Sequence, residues 1–318
     1  MKKIRWGVLG YARIARLSGI PAIMMAPNSE FYAIASRNEE KLEQCKKEFG
    51  VVKTYTSYDE LLDDPNVDCV YIPLPNSLHK DWVIKAANKG KHVLCEKPIA
   101  LNAEESTEMV KTCKKNNVNL MEGFMYRFTD KSKKVKEVLD SGVIGDIKYI
   151  NSTFRFFLDR ENTIKMKPEL GGGSIYDVGC YPLNFVGMVT DKEPISVSAE
   201  YIYQDGVDVM FTGVLKYDNG IIATINSGFN AFNRMYSEII GTKGLIEIPD
   251  TFLDDAGFIT IITNEGRKDI PVEKCERYAL EVEEFADAIL NNRKPKLDAE
   301  ESIRNMRIMD RLLNLRKE

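Results

Sequence analysis

The sequence predicts two domains: a doubly wound α/β domain built on a parallel sheet, and an α+β domain with an open, mostly antiparallel sheet that carries helices on one face. The length, 318 residues, is about twice the ~150 residues typical of one domain. Through residues 1–123, short apolar strands alternate with helical patterns. Through residues 124–318, long strand patterns are separated by turn residues, and helical patterns at 277–316 are expected to pack back.

The composition is that of an ordinary globular chain, with 44% hydrophobic and 29% charged residues. The formal net charge is −4 and the two signs are mixed along the chain, which argues against a nucleic-acid partner. No apolar run reaches the ~18–20 residues that a membrane-spanning helix needs, and the opening Met1-Lys2-Lys3 does not lead into an apolar signal segment. We therefore expect a cytoplasmic protein with no membrane partner.

The six cysteines and two histidines offer little for a metal site. The cysteines are far apart and form no Cys-x-x-Cys pair, so we expect reduced core thiols rather than disulfides or a zinc knuckle. His79 and His92 are the only histidines, which excludes a multi-histidine site. No metal is expected.

The elements of the first domain follow from its apolar runs and helix-start signals. Ser57-x-x-Glu60 and Asn102-x-x-Glu105 fit capping boxes, and Pro21 is expected to break or kink the first helix. The apolar runs predict six strands, at 3–9, 31–36, 51–55, 68–72, 91–95 and 118–122.

The second domain is predicted to open with a helix near 130–142 and then to form an antiparallel sheet. Asn219-Gly220 favours a type I′ hairpin. A stripe of apolar residues that includes Val282 and Phe285 predicts a helix, and Asp298-x-x-Glu301 is expected to cap the last one. Strands are predicted at 146–157, 194–203, 207–217, 220–228, 234–240, 244–248 and 257–263.

The first strand leads into a degraded dinucleotide-binding fingerprint, with Gly10 at its first glycine place and Ala12 and Ala15 at the second and third. A glycine at the first place allows a tight turn and lets the backbone approach a pyrophosphate at a helix N-terminus. An ordinary strand-to-helix turn is the alternative. The position of this loop within an alternating strand and helix pattern favours a Rossmann dinucleotide site. The predicted cofactor-binding residues of this loop are Gly10, Tyr11, Ala12, Arg13 and Ile14.

The end of the second strand indicates which dinucleotide binds. NAD sites usually place a carboxylate there for the ribose 2′-hydroxyl, whereas this chain has Ser36 followed by Arg37. A hydroxyl and a guanidinium suit the 2′-phosphate of NADP(H), which is therefore the predicted cofactor. Alternatively, Arg37 is a solvated loop charge and Glu39 or Glu40 reaches back to a free ribose.

Four motifs follow one another in the sequence: the opening loop, Pro75 to His79, Glu96-Lys97-Pro98, and Gly171 to Tyr181. Together they resemble the glucose-fructose oxidoreductase and inositol dehydrogenase family over nearly the whole chain. Within that family, Ala35-Ser36-Arg37 and Leu94-Cys95-Glu96-Lys97-Pro98 are most similar to the branch of NADP-dependent dihydrodiol and D-xylose dehydrogenases. Met121-Glu122-Gly123 and the following Tyr126-Arg127 fit the same branch.

The resemblance assigns catalytic roles to Lys97, Tyr181 and Asp177. Lys97 follows strand five, at the sheet end where ligands of parallel sheets bind; without the resemblance, a surface lysine paired with Glu96 would be the better interpretation. Asp177 and Tyr181 are four residues apart and would share one face of a helix. Tyr181 is the expected general acid or base, with its phenolate stabilised by Lys97. Asp177 would orient the substrate or Lys97. Alternatively, its carboxylate would only interact with the dipole at a helix N-terminus.

The resemblance also suggests further contacts. The resemblance implies that Asn76 and His79 lie near the nicotinamide and contact the cofactor. Alternatively, Asn76 could cap the next helix, and His79 could have only a packing role there. Many members of the family have histidine after Arg-Phe, where this chain has Thr129, which weakens the substrate contacts expected there. The expected cofactor residues are Pro75, Asn76, His79, Glu96 and Lys97, and the candidate substrate residues are Arg127, Tyr126, Arg155 and Arg160.

The function implied by the resemblance is hydride transfer between NADP(H) and a carbinol or carbonyl carbon of a sugar, sugar derivative, cyclic polyol or dihydrodiol. The expected partner is a second copy of the chain, in a homodimer or homotetramer formed through the open sheet. Two alternatives stay open: a nucleotide-binding sensor or assembly protein without turnover, and a branch that keeps its nucleotide bound and cleaves glycosides.

Overall fold

A computed structural model describes residues 2–160 and 163–316. The chain divides into two compact units. Unit 1 consists of Met1–Met125 and Glu276–Ile303, and unit 2 consists of Tyr126–Cys275 and Arg304–Glu318. The C-terminal segment therefore contributes to both units.

Unit 1 contains a six-stranded parallel sheet in the order β3-β2-β1-β4-β5-β6. This is the Rossmann strand order, in which the order reverses beside β1 and opens a crevice at the carboxyl ends of β1 and β4. The predicted parallel sheet is confirmed. Its strands are β1 (Ile4–Leu9), β2 (Ser29–Ala35), β3 (Lys53–Tyr55), β4 (Cys69–Ile72), β5 (His92–Glu96) and β6 (Leu120–Gly123).

The first helix is irregular, as Pro21 predicts. A π-helical turn, Ala15–Gly19, leads directly into a short α-helix in which Pro21 stands in the first turn, where its missing N–H is tolerated. Gly19 lies against the ring of Tyr71 with no room for a Cβ atom. The helices of this part of the chain are α1 (Ile20–Met25), α2 (Glu39–Phe49), α3 (Tyr58–Asp63), α4 (His79–Asn88) and α5 (Ala103–Lys115).

The two predicted capping boxes of unit 1 have different outcomes. The Asn102 side chain accepts a 2.9 Å hydrogen bond from the backbone N–H of Glu105 and caps α5. The Glu105 carboxylate accepts from the N–H of Leu101 rather than from that of Asn102. The prediction at Ser57 is wrong, because Ser57 precedes α3 without a side-chain capping bond.

Unit 2 contains an eight-stranded sheet in the order β14-β13-β12-β11-β7-β10-β9-β8. All neighbouring strands are antiparallel except β7 and β10, so the predicted open, mostly antiparallel sheet is confirmed. Its elements are α6 (Asp130–Asp140), β7 (Ile147–Phe157), α7 (Cys180–Thr190), β8 (Ser196–Gln204), β9 (Val207–Lys216), β10 (Ile222–Gly228), β11 (Asn230–Gly241), β12 (Gly244–Pro249), β13 (Gly257–Thr263) and β14 (Gly266–Val272).

Two details of this sheet correct the sequence analysis. Strand β14 was not predicted, because it is a polar, mostly exposed edge strand that contains Pro271. The hairpin between β9 and β10 is not type I′, since only Gly220 has a positive φ, +83°. The N–H of Gly220 donates to the carbonyl of Tyr217, as in a type I turn followed by a glycine bulge.

The chain ends in α8 (Arg277–Leu290) and α9 (Ala299–Leu313). Val282 and Phe285 are buried as predicted, and the ring of Phe285 lies 6.0 Å from that of Trp6 in β1. The Asp298 side chain accepts a 3.1 Å bond from the N–H of Glu300, which confirms the predicted start of α9. Among residues 2–160 and 163–316, no helix is both long and apolar enough to cross a bilayer.

Candidate cofactor and substrate sites

The turn after β1 is built around Gly10. Its φ is +98°, and a Cβ atom there would lie 3.1 Å from Leu74 Cδ2 and 3.2 Å from the Tyr58 hydroxyl. The Gly10 N–H donates a 2.8 Å bond to the carbonyl of Ala35 in β2. The positive φ therefore disfavours a side chain here, and Leu74 and Tyr58 leave little room for one. The backbone is bare at the sheet end where dinucleotides bind.

The rest of this loop has a less uniform role than the fingerprint suggests. The Tyr11 side chain is buried, its hydroxyl donates a 2.8 Å bond to Glu48, and its ring contacts Phe49 edge-on. The Tyr11 side chain thus packs against α2, and only its backbone is left for a ligand. Arg13 is exposed, and Ala12 and Ile14 are half-buried.

The end of β2 holds a cation at the same sheet end. Ser36 is buried and its hydroxyl accepts the N–H of Asn38, whereas Arg37 is exposed. Burial raises the pKa of Tyr58, and the nearby Arg37 guanidinium opposes that rise. Gly10 and Arg37 therefore both lie near Tyr58, and a bare backbone with an exposed cation in its vicinity fits a phosphorylated dinucleotide.

The sequence analysis did not identify two aromatic side chains near this turn, Tyr58 and Trp82. The ring of Tyr58 in α3 stands edge-on to that of Trp82 in α4, with centroids 4.9 Å apart. The Lys85 ammonium lies 4.2 Å from the centre of the Trp82 ring. These side chains come from separate helices, so no motif in the sequence joins them. Glu39 and Glu40 are exposed in the first turn of α2.

The turn that carries Lys97 is held by two acids, the half-buried Glu96 and the buried Glu122. Glu96, at the end of β5, accepts a 2.6 Å bond from the Tyr71 hydroxyl and a 3.3 Å bond from the Lys97 N–H. Glu122, at the end of β6, accepts a 2.9 Å bond from the N–H of Ile99. The half-buried Lys97 is thus fixed at its backbone from both sides.

Glu122 is a site residue that sequence reasoning used only as a mark of the family branch. The residue is 3% exposed. Burial raises its pKa to about 7, and the positive charge of Lys97 opposes that rise. The signal available in the sequence was a glutamate at the end of an apolar strand, next to a predicted catalytic strand end.

His79 links two loops of the cofactor end. It is fully buried, and its two ring nitrogens lie 2.9 Å from the carbonyl oxygens of Leu74 and Pro98. Burial lowers its pKa, and the two carbonyl acceptors oppose that shift. His79 therefore ties the loop after β4 to the turn after Lys97. Asn76 begins a 3₁₀ turn, and within the described residues α4 begins without a side-chain cap.

In unit 2, Asp177 and Tyr181 lie where a helix begins. Asp177 is in a π-helical turn, Ile175–Gly179, and Tyr181 is the second residue of α7. The Asp177 carboxylate forms an ion pair with Lys165, a residue that sequence reasoning did not consider. The predicted helix is present, but it starts with a wider turn than the α-helical spacing assumed.

Tyr181 is surrounded by aromatic rings. It is 5% exposed, and its ring lies 5.3 Å from those of Phe154 and Phe252 and 6.1 Å from that of Tyr126. Such rings fix the orientation of the Tyr181 side chain.

Tyr126 and Arg127 meet at one residue of α7. The Tyr126 hydroxyl donates a 2.6 Å bond to Asn184 Oδ1, and Arg127 Nη1 donates to the same oxygen over 3.2 Å. Asn184 is buried one helical turn after Tyr181. The structure thus brings two predicted substrate residues to the same part of unit 2 as Tyr181.

Arg155 and Arg160 are placed differently. Side chains alternate along β7, so Arg155 lies on the opposite face of the sheet from Phe154, which contacts Tyr181. Its cross-strand neighbour is Arg234 in β11. Arg160 is exposed beyond the end of β7. The structure does not bring Arg155 to the Tyr181 side of the sheet.

Comparison with known proteins gives the family. Residues 4–124 match the GFO/IDH/MocA oxidoreductase family with its NAD-binding Rossmann fold, and residues 132–247 match the GFO/IDH/MocA C-terminal domain. The chain belongs to this family. The resemblance stated from the motifs is confirmed, together with an enzyme of the oxidoreductase class and a nicotinamide dinucleotide as its cofactor.

Two curated relatives fit the predicted branch. The D-xylose 1-dehydrogenase (NADP(+)) 2 of Haloferax volcanii is 37% identical over 310 residues, which cover 96% of this chain and 95% of the relative. The trans-1,2-dihydrobenzene-1,2-diol dehydrogenase of Xenopus tropicalis is 34% identical over 274 residues, 84% of this chain and 81% of the relative.

A solved structure shows the same fold over the whole chain. The 3-ketoreductase KijD10 of Actinomadura kijaniata, in complex with NADP and TDP-benzene, has a TM-score of 0.91 and is 27% identical, with 98% of each chain covered.

Proposed function

We propose that this protein transfers a hydride between NADP(H) and a carbinol or carbonyl carbon of a sugar, sugar derivative, cyclic polyol or dihydrodiol. Unit 1 would bind the nucleotide, and unit 2 would bind the substrate and a second copy of the chain. The relatives named for D-xylose and for a dihydrodiol, and the 3-ketoreductase KijD10, support this substrate class.

The observation that carries the proposal is the group at the end of β1 and β2. Gly10 leaves the backbone bare, and Arg37 presents an exposed cation where an NAD site usually has a carboxylate. Ser36 is the other residue that would face a 2′-phosphate, through its backbone or its hydroxyl. This arrangement favours NADP(H) over NAD(H).

The remaining chemistry is assigned to side chains of this chain. Bound NADP(H) would supply or accept the hydride. Tyr181 would accept the hydroxyl proton during oxidation and return it during reduction. The Lys97 ammonium would favour the phenolate by its positive charge. Asp177 would orient the substrate.

The residues that hold these groups support the assignment. Glu96, Glu122 and His79 fix the backbone on both sides of Lys97 through hydrogen bonds of 2.9–3.3 Å. Aromatic rings enclose Tyr181. Lys97 and Tyr181 held in this way are suited to proton transfer, because a reacting atom that keeps one position needs no reorientation.

We also propose that the open face of the eight-stranded sheet pairs with a second copy in a homodimer or homotetramer. Ile202, Val214 and Ile222 lie on that face and are 54%, 36% and 42% exposed. Polar residues between them are already bonded within the sheet, as the 2.7 Å bond between Tyr149 and Thr224 shows. Covering such a face would remove apolar area from water. Val214→Glu should therefore reduce the mass measured by light scattering.

The proposal is tested by titrating nucleotide-free protein with NADP and with NAD in a calorimeter, and then by recording the absorbance of the reduced cofactor with D-xylose, polyols and dihydrodiols. Tight NADP binding and turnover would support it. Nucleotide binding without turnover of any substrate would favour a sensor or assembly protein. Turnover without release of free NADPH would favour a branch that keeps its nucleotide and cleaves glycosides.

A further inference from the structure

Unit 2 holds a lysine beside the predicted catalytic aspartate. Lys165 lies in a 3₁₀ turn, Ile164–Met166, which the Thr163 side chain caps. Its ammonium forms an ion pair with Asp177 and lies 5.6 Å from the centre of the Phe156 ring. The lysine and aspartate side chains are 22% and 16% exposed. The pair is therefore shielded but still accessible.

The segment that presents Lys165 is closed on itself. The N–H of Gly173 donates a 2.8 Å bond to the Lys165 carbonyl, and the N–H of Gly172 donates over 3.0 Å to that of Lys167. A Cβ atom on Gly172 would lie 2.6 Å from the Lys165 carbonyl oxygen. The glycines let the backbone fold back this closely, so Lys165 is presented from a fixed loop.

The base of the loop is anchored in the core by Asp208 of β9. Asp208 is fully buried and accepts a 2.7 Å bond from the Ser174 hydroxyl and a 2.8 Å bond from the Ile175 N–H. Arg316 adds a third bond of 3.1 Å. The turn that carries Asp177 and the loop that carries Lys165 are thus tied to the same rigid sheet.

We propose that Lys165 and Asp177 together form a subsite for two adjacent hydroxyl groups of the substrate, which makes Lys165 a specificity-determining residue. The inference rests on the proposed function, because it assumes a polyhydroxylated substrate. The ammonium donates to one hydroxyl oxygen, and the carboxylate accepts from the neighbouring hydroxyl. A donor and an acceptor held side by side match the two hydroxyl groups of a vicinal diol. A mono-alcohol can bond to only one of the two side chains.

The shape of the pair separates this role from a purely structural ion pair. In the ion pair of Arg316 with Asp208, in the same unit, the carboxylate is 0% exposed, so this pair is part of the core. The Lys165–Asp177 pair keeps both charged groups partly open to solvent. The Phe156 ring supports the lysine side chain, so its ammonium keeps its position when Asp177 bonds to a ligand.

The test measures binding of trans-cyclohexane-1,2-diol and of cyclohexanol to the NADP-loaded protein by calorimetry, alongside turnover of D-xylose. Three variants are compared with wild type: Lys165→Met, which keeps the apolar stem, Lys165→Arg, which restores the cation, and Lys192→Met. Lys192 is a matched control, because it forms an exposed ion pair with Asp218 in the same unit.

We expect wild type to bind the diol more tightly than the mono-alcohol. Lys165→Met should lose about tenfold in affinity for the diol and leave the mono-alcohol unchanged, since a charge-assisted hydrogen bond is lost. Lys165→Arg should recover part of the preference, and Lys192→Met should have no effect. With D-xylose, Lys165→Met should raise KM more than it lowers kcat.

A diol preference that survives in Lys165→Met would show that the ion pair is structural only and would overturn the inference. The absence of a diol preference in wild type would overturn it as well. If wild type nevertheless oxidises D-xylose with NADP, the proposed function stands while the subsite falls. If the protein binds no nucleotide in the same calorimetric series, the proposed function itself fails.

Discussion

The hydroxyl of Tyr71 in β4 donates a 2.6 Å hydrogen bond to Glu96 at the end of β5, directly before Lys97. Tyr71 is 3% exposed. Glu281 of α8, which is also buried, lines the same narrow cleft as Tyr71. Burial, together with the negative charge of Glu96, holds the pKa of Glu281 well above its usual range. Glu281 is therefore the acid of this pair that is expected to stay neutral.

Tyr71→Phe should lower the free energy of unfolding by about 2 kcal/mol, because it removes a buried hydrogen bond to a charged group while keeping the ring. Chemical denaturation of the single variants and of the double variant with Glu96→Gln measures the coupling. The two substitutions should be strongly non-additive. Simple addition of their effects would show that the bond contributes little.

Glu122 should make stability depend on pH. Its folded pKa, about 7, is raised above the usual 4.5, so its contribution is fully present below about pH 4.5 and is lost as the pH rises through 7. Relative to Glu122→Gln, wild type should lose roughly 3 kcal/mol of unfolding free energy across this range. Denaturant unfolding of both proteins from pH 5 to pH 8 measures the difference, and parallel curves would contradict the assignment.

Arg37→Ala should weaken NADP binding by about tenfold or more and change NAD binding little, because only NADP offers a 2′-phosphate to the guanidinium. Calorimetric titrations with both nucleotides measure this. Arg307→Ala is the matched control, since Arg307 is an exposed arginine of α9. Equal weakening of the two nucleotides would show that Arg37 does not distinguish them.

Tyr181→Phe should lower turnover by ~10²-fold or more, the scale of a lost general acid or base, and leave NADP affinity within a few-fold. The ring contacts around Tyr181 are preserved by phenylalanine, so the fold should be unaffected. Steady-state rates and nucleotide titrations measure the two effects. Tyr203→Phe, at a tyrosine that is 40% exposed, is the control. Normal turnover in Tyr181→Phe would remove this residue from the mechanism.

Gly173→Ala should destabilise the protein more than Gly266→Ala. Both glycines have a positive φ, +115° and +129°, so both substitutions strain the backbone. Only at Gly173 would the new methyl group overlap a side chain, the buried carboxylate of Asp208, whereas Gly266 has open space. The difference between their denaturation midpoints isolates the steric effect. Equal losses would mean that the loop can move away from Asp208.

Local sequence patterns were sufficient to predict the strands of unit 1 and the turn at Gly10. Buried parallel strands are short apolar runs, and a positive φ requires glycine, so both leave a local mark. Strand β14 left none, because a polar edge strand resembles a loop. The faces of β7 were also not assigned in advance, and this is why Arg155 was placed among the substrate residues although it lies on the opposite face from Phe154.

The sequence by itself determined the family, the Rossmann order of elements, the dinucleotide turn and the positions of Lys97, Asp177 and Tyr181. These features depend on residues that are neighbours in the chain, so their spacing carries the information. Only the tertiary structure decided that Tyr71 and Glu122 hold the turn at Lys97, that Tyr58 stands over Gly10, and that Lys165 pairs with Asp177. Each of these contacts joins separate elements, and burial together with long-range packing brings them together in a way that no local pattern records.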